Sequence, residues 1–230
     1  MTDYAEIYAR HAKQYDRLVS CEDHAHRILP ALQSIRALED LDVVDLGAGT
    51  GRISALVAPL ARSLTMLDAS GHMLHTAAAK LSGIELSNWQ TVIADHRSLP
   101  LRKRSADLLL AGWTVCYLVV ENPDSWKTDV DGVLTEARRV LRPGGTAVLL
   151  ETLGTGYQEP SPPASLTEYY AFLESIGFAK TWIRTDYRFG SLAEAEQLVR
   201  FFFGEALATK VVEKNWVTLP ECTGLWWLHV

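Results

Sequence analysis

Cysteine is scarce in this chain of 230 residues, and its three cysteines lie far apart in the sequence. Cys21, Cys116 and Cys222 form no Cys-x-x-Cys pair and no cluster with histidine. Neither a zinc site nor a disulfide framework is therefore indicated, and we expect no bound metal. The pattern is typical of free thiols in a reducing compartment.

Long apolar stretches are also missing. The longest uncharged run, residues 108–120, is shorter than the roughly 18 apolar residues that a helix needs to cross a membrane. The first nineteen residues are charged and amphipathic, and they lack the apolar segment of a signal peptide. From these absences we predict a cytoplasmic protein without a membrane span.

Positive charge is in deficit as well. Lysine and arginine number 22 against 28 aspartates and glutamates, which gives a formal net charge of −6. A chain whose main work is holding phosphate backbones carries the opposite excess, so a nucleic-acid partner is disfavoured. The 48% hydrophobic and 22% charged residues are typical of a globular protein and exclude a disordered one.

The sequence does contain, from residue 42 onward, an alternation of short apolar runs with longer helical patterns. This alternation predicts βαβ units around a parallel sheet. The first five strands are expected at 41–46, 64–67, 90–94, 106–111 and 146–151, with helices at 51–62, 70–81 and 124–141. After a Pro/Gly-rich loop the pattern predicts a helix at 165–176, a strand at 180–189, a helix at 191–212 and a strand at 224–229. The first forty residues are expected to be helical.

Three glycines at alternate positions follow the first predicted strand, in the segment Asp45-Leu46-Gly47-Ala48-Gly49-Thr50-Gly51. The missing side chains allow backbone N–H groups and the start of the next helix to approach a ligand closely. The segment is similar to the dinucleotide fingerprint Gly-x-Gly-x-x-Gly, but its third glycine comes one position early. A plain tight turn is the alternative.

Two aspartates end the next two predicted strands. Asp68 lies 21 positions after Gly47, where a carboxylate can accept hydrogen bonds from both hydroxyls of a ribose. Asp95 ends the third strand at the same edge of the sheet and could meet an adenine amino group. Either aspartate alone could be a solvated strand end. Their order after the glycine turn favours a nucleoside site.

With these features the sequence resembles the class I S-adenosylmethionine-dependent methyltransferases, in particular the small-molecule group that includes the ubiquinone and menaquinone biosynthesis enzymes. The matching segments, in the family's order, are 43–52, 67–77, 94–107 and 136–145. The resemblance implies a Rossmann-like α/β fold with a seven-stranded, mostly parallel sheet whose last strand is antiparallel. It also implies helices on both faces, an N-terminal helical lid, S-adenosylmethionine as cofactor and S-adenosylhomocysteine as product.

The resemblance further implies roles for individual residues. Asp45 would lie near the cofactor's amino group, Asp68 would hold the ribose and Asp95 would meet the adenine. The implied cofactor-binding set is Tyr8, Tyr15, Asp45, Gly47, Ala48, Gly49, Gly51, Asp68, Ala69, Met73, Asp95, His96, Gly112 and Trp113.

The proposed lid also has support in the residue pattern. Tyr4, Tyr8, His11, Tyr15 and Leu18 recur at spacings of four, three, four and three, which puts them on one face of a helix. Their rings could cover a ligand while their polar tips reach it. The alternative is that this face only packs against the sheet.

Catalysis has no motif of its own in this sequence. Methyl transfer from a sulfonium is a displacement in which a positive charge disappears, so a dry, aligned pocket favours it. Where the acceptor needs a base, the candidates by position are His11 and Tyr117, followed by Glu151. Cys116 is better explained as a small buried residue than as a nucleophile.

Taken together, the sequence predicts one methyltransferase domain over 1–230, with a helical lid at 1–40, the cofactor-binding core at 41–151 and acceptor-side elements at 152–230. We expect methyl transfer to O, N or C of a small molecule by a monomer or homodimer. Two alternatives stay open: an NAD-dependent oxidoreductase, and a non-catalytic accessory subunit that binds S-adenosylmethionine.

Overall fold

A seven-stranded sheet forms the centre of the computed structural model, which describes residues 4–230. Its strands are β1 (Asp42–Leu46), β2 (Ser63–Asp68), β3 (Trp89–Ile93), β4 (Ala106–Gly112), β5 (Leu141–Thr155), β6 (Ala179–Arg184) and β9 (Glu221–His229). The spatial order is β3-β2-β1-β4-β5-β9-β6. β1 to β5 pair in parallel, and β9 runs antiparallel to both of its neighbours, β5 and β6. The predicted mostly parallel sheet with an antiparallel last strand is confirmed.

Ten α-helices accompany the sheet in residues 4–230. They are α1 (Tyr4–Arg10), α2 (Ala12–Val19), α3 (Ile28–Ile35), α4 (Arg52–Val57), α5 (Gly71–Ser82), α6 (Val115–Glu121), α7 (Trp126–Val140), α8 (Thr167–Ser175), α9 (Leu192–Phe203) and α10 (Glu205–Glu213). α3, α4 and α5 bury one face of the sheet, and α6, α7 and α8 bury the other. Both faces are therefore apolar, which explains the uninterrupted hydrophobic runs of the central strands. Two short strands, β7 (Tyr187–Arg188) and β8 (Thr218–Leu219), pair separately.

Helix α7 illustrates why the sequence folds in this way. Its apolar side chains recur every three or four positions, so one face of the helix is buried against the sheet. The buried positions are Trp126, Val130, Val133, Leu134, Ala137 and Val140. The helix ends at Val140, and the Arg-Pro-Gly-Gly segment that follows Leu141 lies at the start of β5, where proline cannot continue a helix.

Several predicted boundaries differ from the structure for local reasons. The helix expected at 191–212 is two helices, α9 and α10, because Gly204 adopts φ 87° and breaks the ladder between them. The helix expected at 51–62 ends at Val57, just before Pro59, whose ring lacks the N–H group that would continue it. The helical face drawn through Tyr4 and Leu18 is interrupted at His11, which separates α1 from α2.

The strand expected at 180–189 is likewise two short strands, β6 and β7, which belong to different sheets. By contrast, β5 is longer than the predicted 146–151, because its extension pairs with β9. Among the helices of residues 4–230, none combines the length and the apolar character that crossing a bilayer requires.

Candidate functional site

A cavity of about 320 Å³ opens where β1, β2 and β4 end. β1 lies between β2 and β4, so this is the point at which the strand order reverses and where open α/β sheets bind ligands. All of the cofactor-binding residues predicted from the sequence line the cavity except Gly51, and Tyr117 lines it as well. The wall also contains residues that the sequence analysis missed: Val19, Thr50, Arg52, Ile53, Arg97, Thr114, Leu118 and Glu121.

The glycine turn after β1 is shaped by close packing as well as by backbone conformation. Gly47 has φ +66°, and a Cβ built on it would lie 2.1 Å from Oγ1 of Thr114, in the segment after β4. Gly51 has φ +78° and faces α5, where an added Cβ would lie 3.0 Å from the Cβ of Ala77. Gly47 therefore allows the cavity wall to form, whereas Gly51 allows the helix behind the turn to pack.

Asp68 joins the glycine turn to the start of α5. One carboxylate oxygen accepts the backbone N–H of Gly49 at 2.9 Å, and the other accepts the N–H of Ser70 at 2.8 Å. A carboxylate has about four lone-pair positions, so each oxygen can accept one further hydrogen bond from a ligand hydroxyl in the cavity. These two hydrogen bonds hold Asp68 in place and also link the glycine turn to the start of α5.

Asp45 is almost completely buried at the end of β1, where the hydroxyl of Ser54 donates to it at 2.5 Å. The pKa of Asp45 is raised to about 7, chiefly by burial and in part by the neighbouring Asp68, while the Ser54 hydrogen bond opposes the shift. A cationic ligand group beside Asp45 would favour its ionised form.

Asp95 is held by a residue that the sequence analysis did not single out. The guanidinium of Arg97 donates to both carboxylate oxygens of Asp95, at 3.0 and 2.7 Å, and the Arg97 backbone N–H donates at 2.8 Å. These hydrogen bonds lower the pKa of Asp95 to about 2. Arg97 also donates to Asp129 of α7 at 2.7 Å, which fixes the segment after β3 against that helix.

Helices α1 and α2 cover one side of the cavity. The Tyr8 hydroxyl donates to the Tyr117 hydroxyl at 2.6 Å, and the Tyr8 and Tyr15 rings meet edge to face at 5.5 Å. A hydrogen bond ties α1 to the start of α5, since Ser70 Oγ donates to the Tyr8 carbonyl at 2.9 Å. An ion pair of 2.5 Å between Lys80 and Asp16 adds a second anchor. The aromatic rings of Tyr8, Tyr15 and Tyr117 therefore form part of the cavity wall.

Comparison with known proteins relates this geometry to a family. Residues 44–149, which are 106 of the 230 residues, match the methyltransferase domain family. Over this range the chain is similar to methyltransferases. The matched range spans β1 to most of β5 and contains the glycine turn, Asp68 and Asp95.

Curated methyltransferases are among the similar proteins. A demethylmenaquinone methyltransferase from Tropheryma whipplei is 30% identical over 149 residues, which cover 64% of this chain and 57% of that protein. A malonyl-[acyl-carrier protein] O-methyltransferase from Coxiella burnetii is 31% identical over 132 residues, covering 56% and 39% respectively. The matches thus span about half the length of these curated relatives.

The fold is also found in solved structures. The YcgJ protein from Bacillus subtilis superposes with a TM-score of 0.62 at 15% identity, covering 89% of this chain and 98% of that one. The agreement extends well beyond the matched range 44–149. The Rossmann-like fold with a seven-stranded sheet, implied by the sequence, is confirmed.

Within this fold, the candidate catalytic residues His11 and Tyr117 are placed very differently. His11 is exposed at the break between α1 and α2, outside the cavity wall, with its ring 6.0 Å from that of Phe201. Tyr117 lines the cavity beside Tyr8, and burial raises its pKa well above the ordinary value. The Tyr117 phenol is therefore neutral near pH 7, suited to donating or accepting a hydrogen bond. A catalytic role for either residue stays a prediction.

Glu151, the remaining candidate base, is not among the residues that line the cavity. It is fully buried and accepts the backbone N–H of Cys116 at 3.1 Å and the Tyr169 hydroxyl at 3.2 Å. Its Oε2 has no hydrogen-bond partner within residues 4–230. Glu151 thus holds the start of α6, the helix that carries Tyr117, and it reaches the cavity only through that helix.

Replacing Glu151 by glutamine is expected to change how stability depends on pH. Burial raises the pKa of Glu151 from 4.5 to about 7, so between these values the folded protein retains a proton that the unfolded chain has released. Stability therefore falls as pH rises through this window, by about 3 kcal/mol in total. Glutamine does not titrate. We expect Glu151→Gln to gain stability relative to the wild type as pH rises from 4.5 to 8.

The measurement is urea unfolding of both proteins at pH 5, 7 and 8.5. Asp45 and Glu221 also have raised pKa values, but they titrate in both proteins, so the difference in unfolding free energy isolates Glu151. A difference that stays constant across these pH values would contradict the assignment.

Proposed function

We propose that this chain transfers a methyl group from S-adenosylmethionine to O, N or C of a small molecule and releases S-adenosylhomocysteine. The single observation that carries the proposal is the convergence of the glycine turn, Asp68 and Asp95 on one cavity at the switch point of the sheet. The match of residues 44–149 to the methyltransferase domain family supports the same chemistry.

The residues of the cavity fit this cofactor. A volume of about 320 Å³ falls in the range of small-molecule sites. The Thr50 hydroxyl lies in the cavity wall and is buried without a partner among residues 4–230, so a ligand could supply one. Gly49, also in the wall, has only the tip of Met73 within 4 Å of an added Cβ. Together these features leave room and polar groups for a ligand pressed against the turn.

We assign a role to each of the three aspartates of the wall. Asp68 would accept both ribose hydroxyls with the lone pairs that Gly49 and Ser70 leave free. Asp45 would face the amino group of the methionyl part. Asp95, kept ionised by Arg97, would accept from the adenine amine. When bound, the cofactor supplies a methyl group on a positively charged sulfur.

The aromatic side of the cavity suits both the reaction and its acceptor. Tyr8, Tyr15, Trp113 and Tyr117 line the cavity, and their rings would exclude water from it when the ligands are bound. Because a charge disappears during the transfer, a dry apolar surrounding favours the step. The same rings would hold a partly apolar acceptor. The two curated relatives are named for different acceptors, so we assign the acceptor from this cavity and not from a relative.

We also retain the finer predictions for the whole molecule. They are a single domain over 1–230 with a lid at 1–40, a cytoplasmic location, a monomeric or homodimeric state, and no nucleic-acid partner. The excess of acidic over basic residues supports the last of these.

A binding experiment tests the proposal. We expect S-adenosylhomocysteine to bind with micromolar affinity in calorimetry and to raise the melting temperature, because saturation at 100 times the dissociation constant adds about 2.7 kcal/mol of stability. NADH at the same concentration should leave the melting temperature unchanged. Stabilisation by NADH alone would favour the oxidoreductase and overturn the assignment.

Turnover distinguishes an enzyme from an accessory subunit. With S-adenosylmethionine and a metabolite extract, the wild type should release S-adenosylhomocysteine faster than Asp68→Ala. Equal release by both proteins, despite tight binding by the wild type, would favour the non-catalytic alternative.

A further inference from the structure

A buried ion pair in the cavity wall has no role in the assignment so far. Arg52 directly follows Gly51, lines the cavity and forms a salt bridge with Glu22. The Arg52 side chain is 16% exposed and that of Glu22 only 2%. A pair this buried loses much of its hydration, and such pairs are weak contributors to stability. Its place in the cavity wall therefore suggests a task in ligand binding.

The geometry of this pair is fixed from several directions. The Arg52 guanidinium lies 3.7 Å from the ring centroid of Trp113, which has φ +50°, a conformation that bulky residues rarely adopt. Glu22 accepts the Thr185 hydroxyl at 3.1 Å, and Thr185 is hydrogen-bonded to Thr223 at 2.6 Å. The guanidinium is thus clamped between an indole and a carboxylate that is itself anchored to the sheet.

Most of the hydrogen-bonding capacity of Arg52 remains unused. A guanidinium has five N–H donors, and within residues 4–230 one hydrogen bond joins Arg52 to a side chain, that of Glu22. The stack on Trp113 uses the flat face of the group and leaves its edge available. A planar fork with free donors at a cavity wall is suited to a carboxylate.

We propose that Arg52 binds the α-carboxylate of the cofactor's methionyl group, while Asp45 faces its ammonium group. This inference rests on the proposed function. The methionyl part of S-adenosylmethionine is an amino-acid zwitterion. Arg52 and Asp45 flank the same glycine turn and line the same cavity, so they offer one group of each sign to it.

The Glu22 partner gives this arrangement a second property. S-adenosylmethionine carries a sulfonium, and an unpaired arginine in the same small cavity would repel it. Glu22 neutralises the charge of Arg52 while leaving its remaining N–H donors free. The pair can then recognise a carboxylate without opposing the positively charged sulfur.

The test compares two ligands that differ only in the carboxylate. They are S-adenosylhomocysteine and its decarboxylated analogue, which keeps the amine, the thioether and the adenosine. By calorimetry, Arg52→Met should weaken binding of S-adenosylhomocysteine by about 30-fold, the size expected for a lost charge-assisted interaction. Binding of the decarboxylated analogue should change by less than about twofold, because it has no group for Arg52 to hold. Arg52→Lys should fall between wild type and Arg52→Met for the first ligand.

Three outcomes decide against the inference in different ways. Equal losses for both ligands would make Arg52 a structural residue. If Arg52→Met bound both ligands as tightly as the wild type does, Arg52 would not contact the methionyl carboxylate, and a carboxylate of the acceptor would be the alternative partner. Failure of the wild type to bind S-adenosylhomocysteine at all would overturn the proposed function itself.

A double variant protects the test against misfolding. Arg52→Met leaves the buried Glu22 carboxylate without its cation, which can destabilise the fold. Arg52→Met combined with Glu22→Gln removes both charges and keeps the net charge of the protein. Its affinity for S-adenosylhomocysteine should fall as much as that of Arg52→Met, and its affinity for the decarboxylated analogue should stay unchanged. Its melting temperature, measured by circular dichroism, should lie near that of the wild type. A double variant that binds S-adenosylhomocysteine like the wild type would overturn the inference.

Discussion

Asp68→Ala is expected to weaken the binding of S-adenosylhomocysteine by about 100-fold or more. The substitution removes two proposed hydrogen bonds from a charged group to the ribose, each worth about 1.5 to 3 kcal/mol. It also leaves the N–H groups of Gly49 and Ser70 without their acceptor, so the glycine turn loses its tie to α5. Calorimetric titration of the purified variant measures the loss directly.

Two matched variants interpret the result. Asp68→Asn keeps the shape and one acceptor oxygen, so it should lose less affinity than Asp68→Ala. Asp95→Ala removes a more exposed carboxylate that Arg97 already engages on both oxygens, and its effect should stay below about tenfold. A ranking with Asp95 as the more important residue would contradict the proposed nucleoside site, provided that all variants melt cooperatively.

Gly47→Ala is expected to abolish binding and to destabilise the fold by about 3 kcal/mol. An alanine at φ +66° costs about 1 to 2 kcal/mol. The added methyl group would also lie 2.1 Å from Oγ1 of Thr114, and relieving such overlap costs a further 1 to 3 kcal/mol or so. The turn and the segment after β4 must then separate, which deforms the cavity wall.

Gly144→Ala is the control for this prediction. Gly144 also has a positive φ, of +78°, but nothing lies within 4 Å of an added Cβ. It should therefore show the conformational cost alone, about 1 to 2 kcal/mol in urea unfolding, with unchanged ligand binding. If Gly47→Ala and Gly144→Ala lowered the free energy of unfolding equally, the overlap with Thr114 would contribute nothing to the destabilisation.

The cofactor side of the site could be predicted because its signals are local. The glycine turn follows a buried strand directly, and Asp68 and Asp95 follow the next two strands. In a parallel sheet such strand ends meet at one edge, so order along the chain is enough to bring them together. The family resemblance then supplied the ligand chemistry expected for the same positions.

The missed parts of the site depend on contacts between distant residues. Arg52 meets Glu22 across 30 positions, and Tyr8 meets Tyr117 across 109. No periodicity in the sequence reports such pairs. Arg97 lies only two positions after Asp95 in the sequence, but its hydrogen bonds to both carboxylate oxygens of Asp95 become evident only from the structure. The break at Gly204 shows the same limit, since a glycine within an apolar helical pattern has no fixed conformation until its neighbours pack.

The position of β9 has a consequence for how the chain reaches its folded state during synthesis. β9 comes after every other strand of the main sheet in the chain, yet it lies between β5 and β6 and pairs with both. Until residues 221–229 have left the ribosome, β5 presents an open edge and β6 has no partner in this sheet. Unpaired edges invite pairing with other chains, so the nascent protein is exposed to aggregation until its final strand inserts.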